Sequence, residues 1–310
     1  MNYEGQICRA PMERSSYMLP VMVGCSYNQC KFCNLFRHLK YRELPMEQIE
    51  ADLKRVYGAG GKPKTIFLGD GNAFDMKTER LYEILDLIEH YFPERAAVNM
   101  DATVTGILRK SDEELETLFE KGVRHLYLGI ESGLDDVLAF MKKDHNLEQA
   151  YTAIDRLHKA GLIFDAHIMT GVAGKGRSTE NAEALAEFLN HTQPAHVVNF
   201  SMFLHKEVPL YKDVENGSYQ PADELESLQE ERHLLELLGT EQMPAIRYEG
   251  FHDYIEVRTR GMLPADREKM LAGLDRAIAE QEKEEPVYSL VYGECPNLEK
   301  CDESGSVWTI

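Results

Sequence analysis

The sequence predicts an α/β protein, a partial (β/α)6 barrel of the TIM type with a mainly helical C-terminal extension. Three observations predict it. Six short apolar runs alternate with segments of helical periodicity, several of those segments carry start and stop signals, and a glycine or polar residue stands at the end of each apolar run. Strands alternating with helices are joined by right-handed crossovers into a parallel sheet, and such a series curls toward a barrel.

The elements follow in order. Residues 18–23 form the first apolar run, and residues 46–57 show the 3.6-residue period of an amphipathic helix. Strand 65–68 and helix 79–91 make the second unit, and strand 96–100 opens the third. Helix 112–121 begins at Ser111 in Ser-Asp-Glu-Glu, a capping-box spacing, and Gly122 closes it. Strand 125–130 precedes helix 147–160, which ends at Gly161. Strand 163–169, helix 179–191 and strand 196–203 complete the series. Beyond Leu204 the alternation stops: residues 223–238 and 264–280 read as helices and 251–258 as one extended segment. The expected organisation is an N-terminal segment 1–14, a barrel 15–205 and an extension 206–310 packed on it, since no Gly/Ser-rich linker intervenes.

Composition narrows the function. The 310 residues carry 53 acidic and 34 basic side chains, a net charge of −19. That balance argues against nucleic acid or an anionic membrane surface as the main partner, because both need a basic footprint. No run of about 18 uncharged apolar residues is present, and the N-terminus lacks a signal-peptide pattern, so a cytoplasmic protein is expected. In a reducing compartment cysteines serve metals or catalysis more often than disulfides.

Three of the six cysteines, Cys25, Cys30 and Cys33, form a C-x4-C-x2-C cluster after the first strand. A cluster this tight reads as a metal site, and two versions compete. With His38 it makes a Cys3His set for structural zinc; alone, the three thiolates hold a [4Fe–4S] cluster with one iron left open. Context favours the second. Reactive groups in such barrels lie at the C-terminal ends of the strands, and there stand Gly69-Asp70-Gly71-Asn72, Asp101, Glu131-Ser132-Gly133, Thr170-Gly171 and His205. A structural zinc loop has no reason to share that face. Asp70 and Glu131 could equally cap the helices that follow them. Cys8, Cys295 and Cys301 read as free thiols, with a second cluster as the alternative. Residues 171–176 are glycine-rich but lack the Walker spacing, so they read as a mobile loop. His167, His205 and His252 read as structural, His167 pointing into the barrel.

A three-cysteine loop with Phe32 before the third cysteine, after the first strand of a six-strand β/α series, resembles the radical S-adenosylmethionine (SAM) superfamily over about residues 15–205. The loop Gly-Cys-Ser-Tyr-Asn-Gln-Cys-Lys-Phe-Cys is similar to that of a short-chain group with this C-x4-C-x2-C motif, to which no reaction is assigned, and the likeness continues near residues 210–217 and 252–274. The resemblance implies that Cys25, Cys30 and Cys33 ligate a [4Fe–4S] cluster whose unique iron is chelated by SAM. Phe32 would lie near the adenine and Gly69-Asp70-Gly71 would hold the methionyl amino group. Glu131 and Ser132 would meet ribose and carboxylate, and Ile168 to Gly171 the adenine, with Asp101 completing the polar set. The implied activity is reductive, anaerobic cleavage of SAM to a 5′-deoxyadenosyl radical that abstracts hydrogen from a small-molecule or peptide substrate. No residue is assigned to catalysis on that substrate. The alternatives are a zinc-stabilised binding protein and, among enzymes, tetrapyrrole chemistry like that of oxygen-independent coproporphyrinogen oxidase. Kinship with the tRNA-modifying Elongator subunit or the methylthiotransferases is not expected, given the charge and no added RNA-binding domain. The electron donor would be an acidic flavodoxin or ferredoxin, for which Lys31, Arg37, Lys40 and Arg42 form a candidate docking patch.

Overall fold

Strand β1 (Tyr17–Pro20) lies at one edge of an eight-stranded sheet in a computed structural model that describes residues 8–240 and 242–291. The chain continues through β2 (Met22–Val23) and β3 (Arg42–Glu43), which pair antiparallel on either side of the cysteine loop, to helix α1 (Met46–Gly58). Then come β4 (Thr65–Gly69), α2 (Thr78–Tyr91), β5 (Ala97–Ala102), α3 (Val104–Leu108), α4 (Asp112–Glu120), β6 (Val123–Glu131), α5 (Asp135–Phe140) and α6 (Leu147–Lys159). They are followed by β7 (Ile163–Thr170), α7 (Ser178–Thr192), β8 (His196–Ser201), β9 (Leu204–His205), α8 (Pro209–Glu215) and α9 (Glu224–Leu237). The last elements are β10 (Ile246–His252), β11 (Val257–Leu263), α10 (Arg267–Gln281) and β12 (Leu290–Val291), β12 pairing with β9.

The sheet order β1-β4-β5-β6-β7-β8-β10-β11 is parallel except for its last pair. β1 and β11 are its two edges, which makes this the partial barrel the alternation predicts. One face of each strand packs under the helices: Ile66, Leu68, Val98, Met100, Leu126, Leu128, Phe164, Ala166, Ile168 and Val197 are buried in the main core. Helix starts follow the caps in the sequence. Ser111 and Glu114 form a complete capping box, and Asn146 and Gln149 form a second one.

Two regions depart from expectation. The extension does not merely pack on the barrel: β10 adds to β8 as a seventh parallel strand and turns back into β11. Residues 251–258, expected as one extended segment, therefore hold the hairpin turn, with a 3-10 turn at Asp253–Ile255. Residues 8–16 also lie inside the barrel. Cys8 N donates to Asp70 Oδ1 (3.3 Å) just beyond the end of β4, while Ser16 Oγ meets Thr65 Oγ1 (2.7 Å) at its start. Between them Ala10 and Met12 pack with Met18, Phe67 and Tyr127, and Glu13 accepts from Asn99 Nδ2 (2.7 Å), Tyr127 and Ser16. No helix among the described residues is long and apolar enough to cross a membrane.

Candidate functional site

The cysteine loop is fixed at the C-terminal end of the sheet by the turn after β4. Gly24 N donates to Asp70 O (3.0 Å) and Asp70 N to Met22 O (3.3 Å). Asn72 takes Ser26 N on its Oδ1 (2.9 Å) and donates to Ser26 Oγ (2.9 Å), which itself donates to Asp75 (2.8 Å). Gly71 has φ +138°, and a β-carbon there would overlap the Gly24 carbonyl, so the close approach of these two loops requires glycine. Within the loop, Arg37 donates to the carbonyl oxygens of Cys33 (2.6 Å) and Cys30. Helix α8 covers the other side, Leu210 N donating to Lys31 O (3.0 Å) and Asp213 pairing with Lys31 Nζ (2.9 Å).

The three thiols are partly buried and close enough that each one's ionisation opposes the others'. Burial pushes Cys30 up to about 11 and raises Cys25 and Cys33 as well. Without a metal the site is therefore a set of neutral thiols, and binding iron releases their protons. Among the described residues no three His, Cys, Asp or Glu side chains converge on a single ion, and His38 is exposed. The donor chemistry, three thiols on one loop, fits a [4Fe–4S] cluster, which takes thiolates.

Around this loop the strand ends bring together most of the residues expected there. Asp70 is buried; its Oδ2 has no partner, and burial pushes its carboxyl up to about 6. Asp101 faces the lumen from β5 and is pushed up to about 8 by burial, with Glu13 and Asp70 adding to it. Glu131 ends β6 at φ +66° and pairs with Lys143 Nζ (3.2 Å). Neither Asp70 nor Glu131 caps a helix: α2 starts after Lys77 and α5 after Leu134. Phe32 packs with the small cluster of Val137, Met141 and Leu210, its ring centre 5.9 Å from Lys143 Nζ. Gly69 lies where a β-carbon would fall 2.5 Å from Met18 Cε.

Three expected residues are committed elsewhere. Ser132 is fully buried and donates to Asn181 Oδ1 (2.6 Å) on α7, and Ile168 belongs to the outer core. Gly171, at φ +81°, donates its N–H to Glu230 Oε2 (2.8 Å), and Asn181 Nδ2 bonds the same carboxyl (2.6 Å). His167 points inward as expected, stacked on Tyr127 (5.8 Å) with its pKa lowered to about 4 by burial. His252 is structural, held between Glu224 and Glu231. Of the proposed docking patch, Lys31 and Arg37 are used within the site, while Lys40 and Arg42 are exposed. Cys8 is half-buried beside Asp70; Cys295 and Cys301 lie outside the described residues.

Sequence reasoning missed Lys143, Asn72 and the luminal Glu13–Tyr127 pair. Lys143 sits in Lys-Lys-Asp-His, which matches no motif; Asn72 was visible only as a polar residue after the second strand.

Comparison with known proteins completes the description. The heme chaperone HemW of Bacillus subtilis (strain 168) is 21% identical over 232 residues, covering 73% of this chain and 58% of its own. A tRNA-2-methylthio-N(6)-dimethylallyladenosine synthase of Rickettsia bellii (strain OSU 85-389) is 25% identical over 173 residues, covering 53% and 38%. The chain thus spans little more than half of the first relative and less of the second. Among solved structures, the cobalamin-bound methyltransferase TsrM of Kitasatospora setae superposes with a TM-score of 0.53 at 14% identity over 65% of this chain and 39% of its own. Elp3 of Methanocaldococcus infernus gives 0.50 at 18% identity over 75% and 56%. These neighbours share the fold. The profile of the radical SAM superfamily matches residues 19–189, more than half of the sequence, and the chain therefore belongs to the radical SAM superfamily, a family of enzymes whose cofactors are a [4Fe–4S] cluster and SAM.

Proposed function

We propose that this enzyme holds its cluster on Cys25, Cys30 and Cys33 and cleaves SAM reductively to act on a small-molecule or peptide substrate. The observation that carries the reading is the loop itself: three thiols set at the mouth of a barrel whose neighbouring carboxyls, Asp70 and Asp101, are desolvated. Bound there, the two cofactors would supply a 5′-deoxyadenosyl radical able to remove hydrogen from an unactivated carbon.

This chain's own residues then bind, orient and shield. Asp70, Gly69 and Gly71 would receive the methionyl amino group, the free Oδ2 of Asp70 being the acceptor. Glu131 would take the ribose hydroxyls, Phe32 would border the adenine and Asp101 would close the lumen side. Ser132 and Ile168 turn their side chains away and both backbone groups of Gly171 are taken, by Glu230 and Tyr219, so these three would shape the wall without hydrogen-bonding the cofactor. Ala10, Met12, Glu13 and Tyr127 would fill part of the lower lumen.

The walls favour a substrate without phosphates, because they present carboxyls at Glu13, Asp70, Asp101 and Glu131 and the Lys143 ammonium is already paired with Glu131. Several relatives are named for tRNA modification, which makes tRNA the rival substrate. An acidic flavodoxin or ferredoxin would dock near Lys40 and Arg42. The test is anaerobic reconstitution followed by SAM and dithionite. An absorbance band near 410 nm, about four irons per chain and 5′-deoxyadenosine are expected. A fully loaded cluster that yields no 5′-deoxyadenosine overturns the reading, and stimulation by bulk tRNA replaces the substrate class.

A further inference from the structure

The connection between α5 and α6, residues 141–146, carries no motif, yet it is bound to the cysteine loop at two points. Lys31 N donates to Met141 O (2.9 Å) and Tyr27 OH to Lys142 O (2.6 Å). A third anchor joins it to α3, where Asp144 Oδ2 accepts from Thr105 N (3.0 Å) and Thr105 Oγ1 (2.9 Å). Between these anchors Lys143 turns its ammonium inward, its side chain 8% exposed. The fold makes room for it: a β-carbon at Gly129 would lie 2.5 Å from Glu131 Oε1 and 3.1 Å from Lys143 Nζ.

Burying an ammonium is costly unless opposite charge is close by. Glu131 supplies one such charge. Asp144, the next residue, supplies a second, and the ammonium also lies 5.9 Å from the ring centre of Phe32 within the cysteine loop, where its field reaches Cys25, Cys30 and Cys33 alike. A cluster on three thiolates is net negative and becomes more so on reduction, and its potential follows local charge.

We propose that Lys143 is a positioning residue that raises the reduction potential of the cluster, easing the transfer of one electron from a flavodoxin- or ferredoxin-type donor, which is oxidised as the cluster is reduced. The inference rests on the cluster reading above. It is tested on the full chain, reconstituted anaerobically without SAM, by redox titration followed by electron paramagnetic resonance. Lys143→Met should shift the midpoint negative, cutting the reduced-to-oxidised ratio about tenfold at a fixed potential, about 59 mV for a one-electron couple. Lys143→Arg should restore most of it and Lys142→Gln should leave it in place. Glu131→Gln should shift the midpoint positive, because it removes a negative charge from the same pair. Mere loosening of the pair would move both variants the same way, so shifts of one sign overturn the proposal, as does an unmoved potential in a fully iron-loaded Lys143→Met. If Lys143→Met does not fold, a Glu131→Gln midpoint that stays put or falls overturns it alone. If even the unaltered chain binds no iron, the cluster reading fails first and this inference with it.

Discussion

Two buried sets of charge lie on opposite faces of one sheet. Behind β8 and β10, under α9, the His252 ring bridges Glu224 (2.9 Å) and Glu231 (2.8 Å), and Ser201 and Ser289 also donate to Glu224. On the lumen side Lys143 pairs with Glu131 beside three thiols. Each set occupies space left by a glycine, Gly250 behind the sheet and Gly129 within the barrel. Each contains strongly shifted groups: burial opposes the charge of His252, yet its two carboxylates raise it to about 9, much as Glu131 and Asp144 hold Lys143 charged. What differs is how each set is completed. In the outer one the cation lies between two acids, so its charges are matched without a ligand. The inner one has three thiols held neutral by burial until a metal takes their protons. A perturbed pKa alone thus fails to mark a functional site, and an incomplete set of partners does better.

Removing one member from each set separates them most sharply. Cys30→Ala should abolish the brown colour, reduce iron from about four per chain to near none and end 5′-deoxyadenosine formation, while the apo chain's urea midpoint stays within about 0.5 kcal/mol of the parent. Full iron content in that variant would sink the ligand assignment. His252→Leu should do the reverse. It strands two buried carboxylates and costs about 3–5 kcal/mol of stability, yet the folded fraction still loads iron. His252 also predicts a pH slope. Its folded pKa lies above the ordinary histidine value of 6.5, so its contribution is full below that value and lost as pH rises through about 9. The variant should lose that slope.

The contrast also explains what could be read in advance. The inner site was legible because its chemistry is local: Cys25, Cys30 and Cys33 stand within nine residues, and Gly69 to Asn72 follow directly on a strand. The alternation of periods likewise disclosed the six barrel strands and the five longer helices between them, since each repeats its pattern over a handful of neighbours, while the short α3 and α5 left no such pattern. The outer set joins residues 201, 224, 231, 252 and 289, and no local pattern connects them. β10 escaped for the same reason: Arg247 and Glu249 point into the open side of the barrel, so the strand does not read as an apolar run. Lys143 is brought to the thiols only by tertiary contacts of its loop.

The two glycines allow the same change on both faces. Gly250→Ala would drive a β-carbon into Glu231, whose carboxylate is pinned by His252, with Thr259 behind it at 3.2 Å. About 1–3 kcal/mol of stability should be lost in urea unfolding. Gly129→Ala meets the tips of two side chains at the edge of the lumen, which can swing toward it. The expected cost is smaller, with weakened SAM binding in calorimetry as the main effect. Equal losses of stability at both positions would show that the inner pair is as tightly locked as the outer one.

The smallest effect comes from Asp101, and it asks whether the lumen is desolvated in solution. Its folded pKa of about 8 is raised from the ordinary aspartate value of 3.8, first by burial and then by Glu13 and Asp70. A raised carboxyl contributes stability that is full below the unfolded value and lost as pH climbs through the folded one. The parent should therefore lose stability between about pH 4 and 8, and Asp101→Asn should be flatter across that window. Some contact with solvent remains at Asp101, so screening keeps the difference below about 1 kcal/mol. Urea midpoints at both ends of the window measure it. Because the His252 slope lies mostly above pH 6.5, the two faces separate on the pH axis as well. Parallel curves for parent and Asp101→Asn would mean that water reaches the lumen and that its acids are ordinary surface carboxylates.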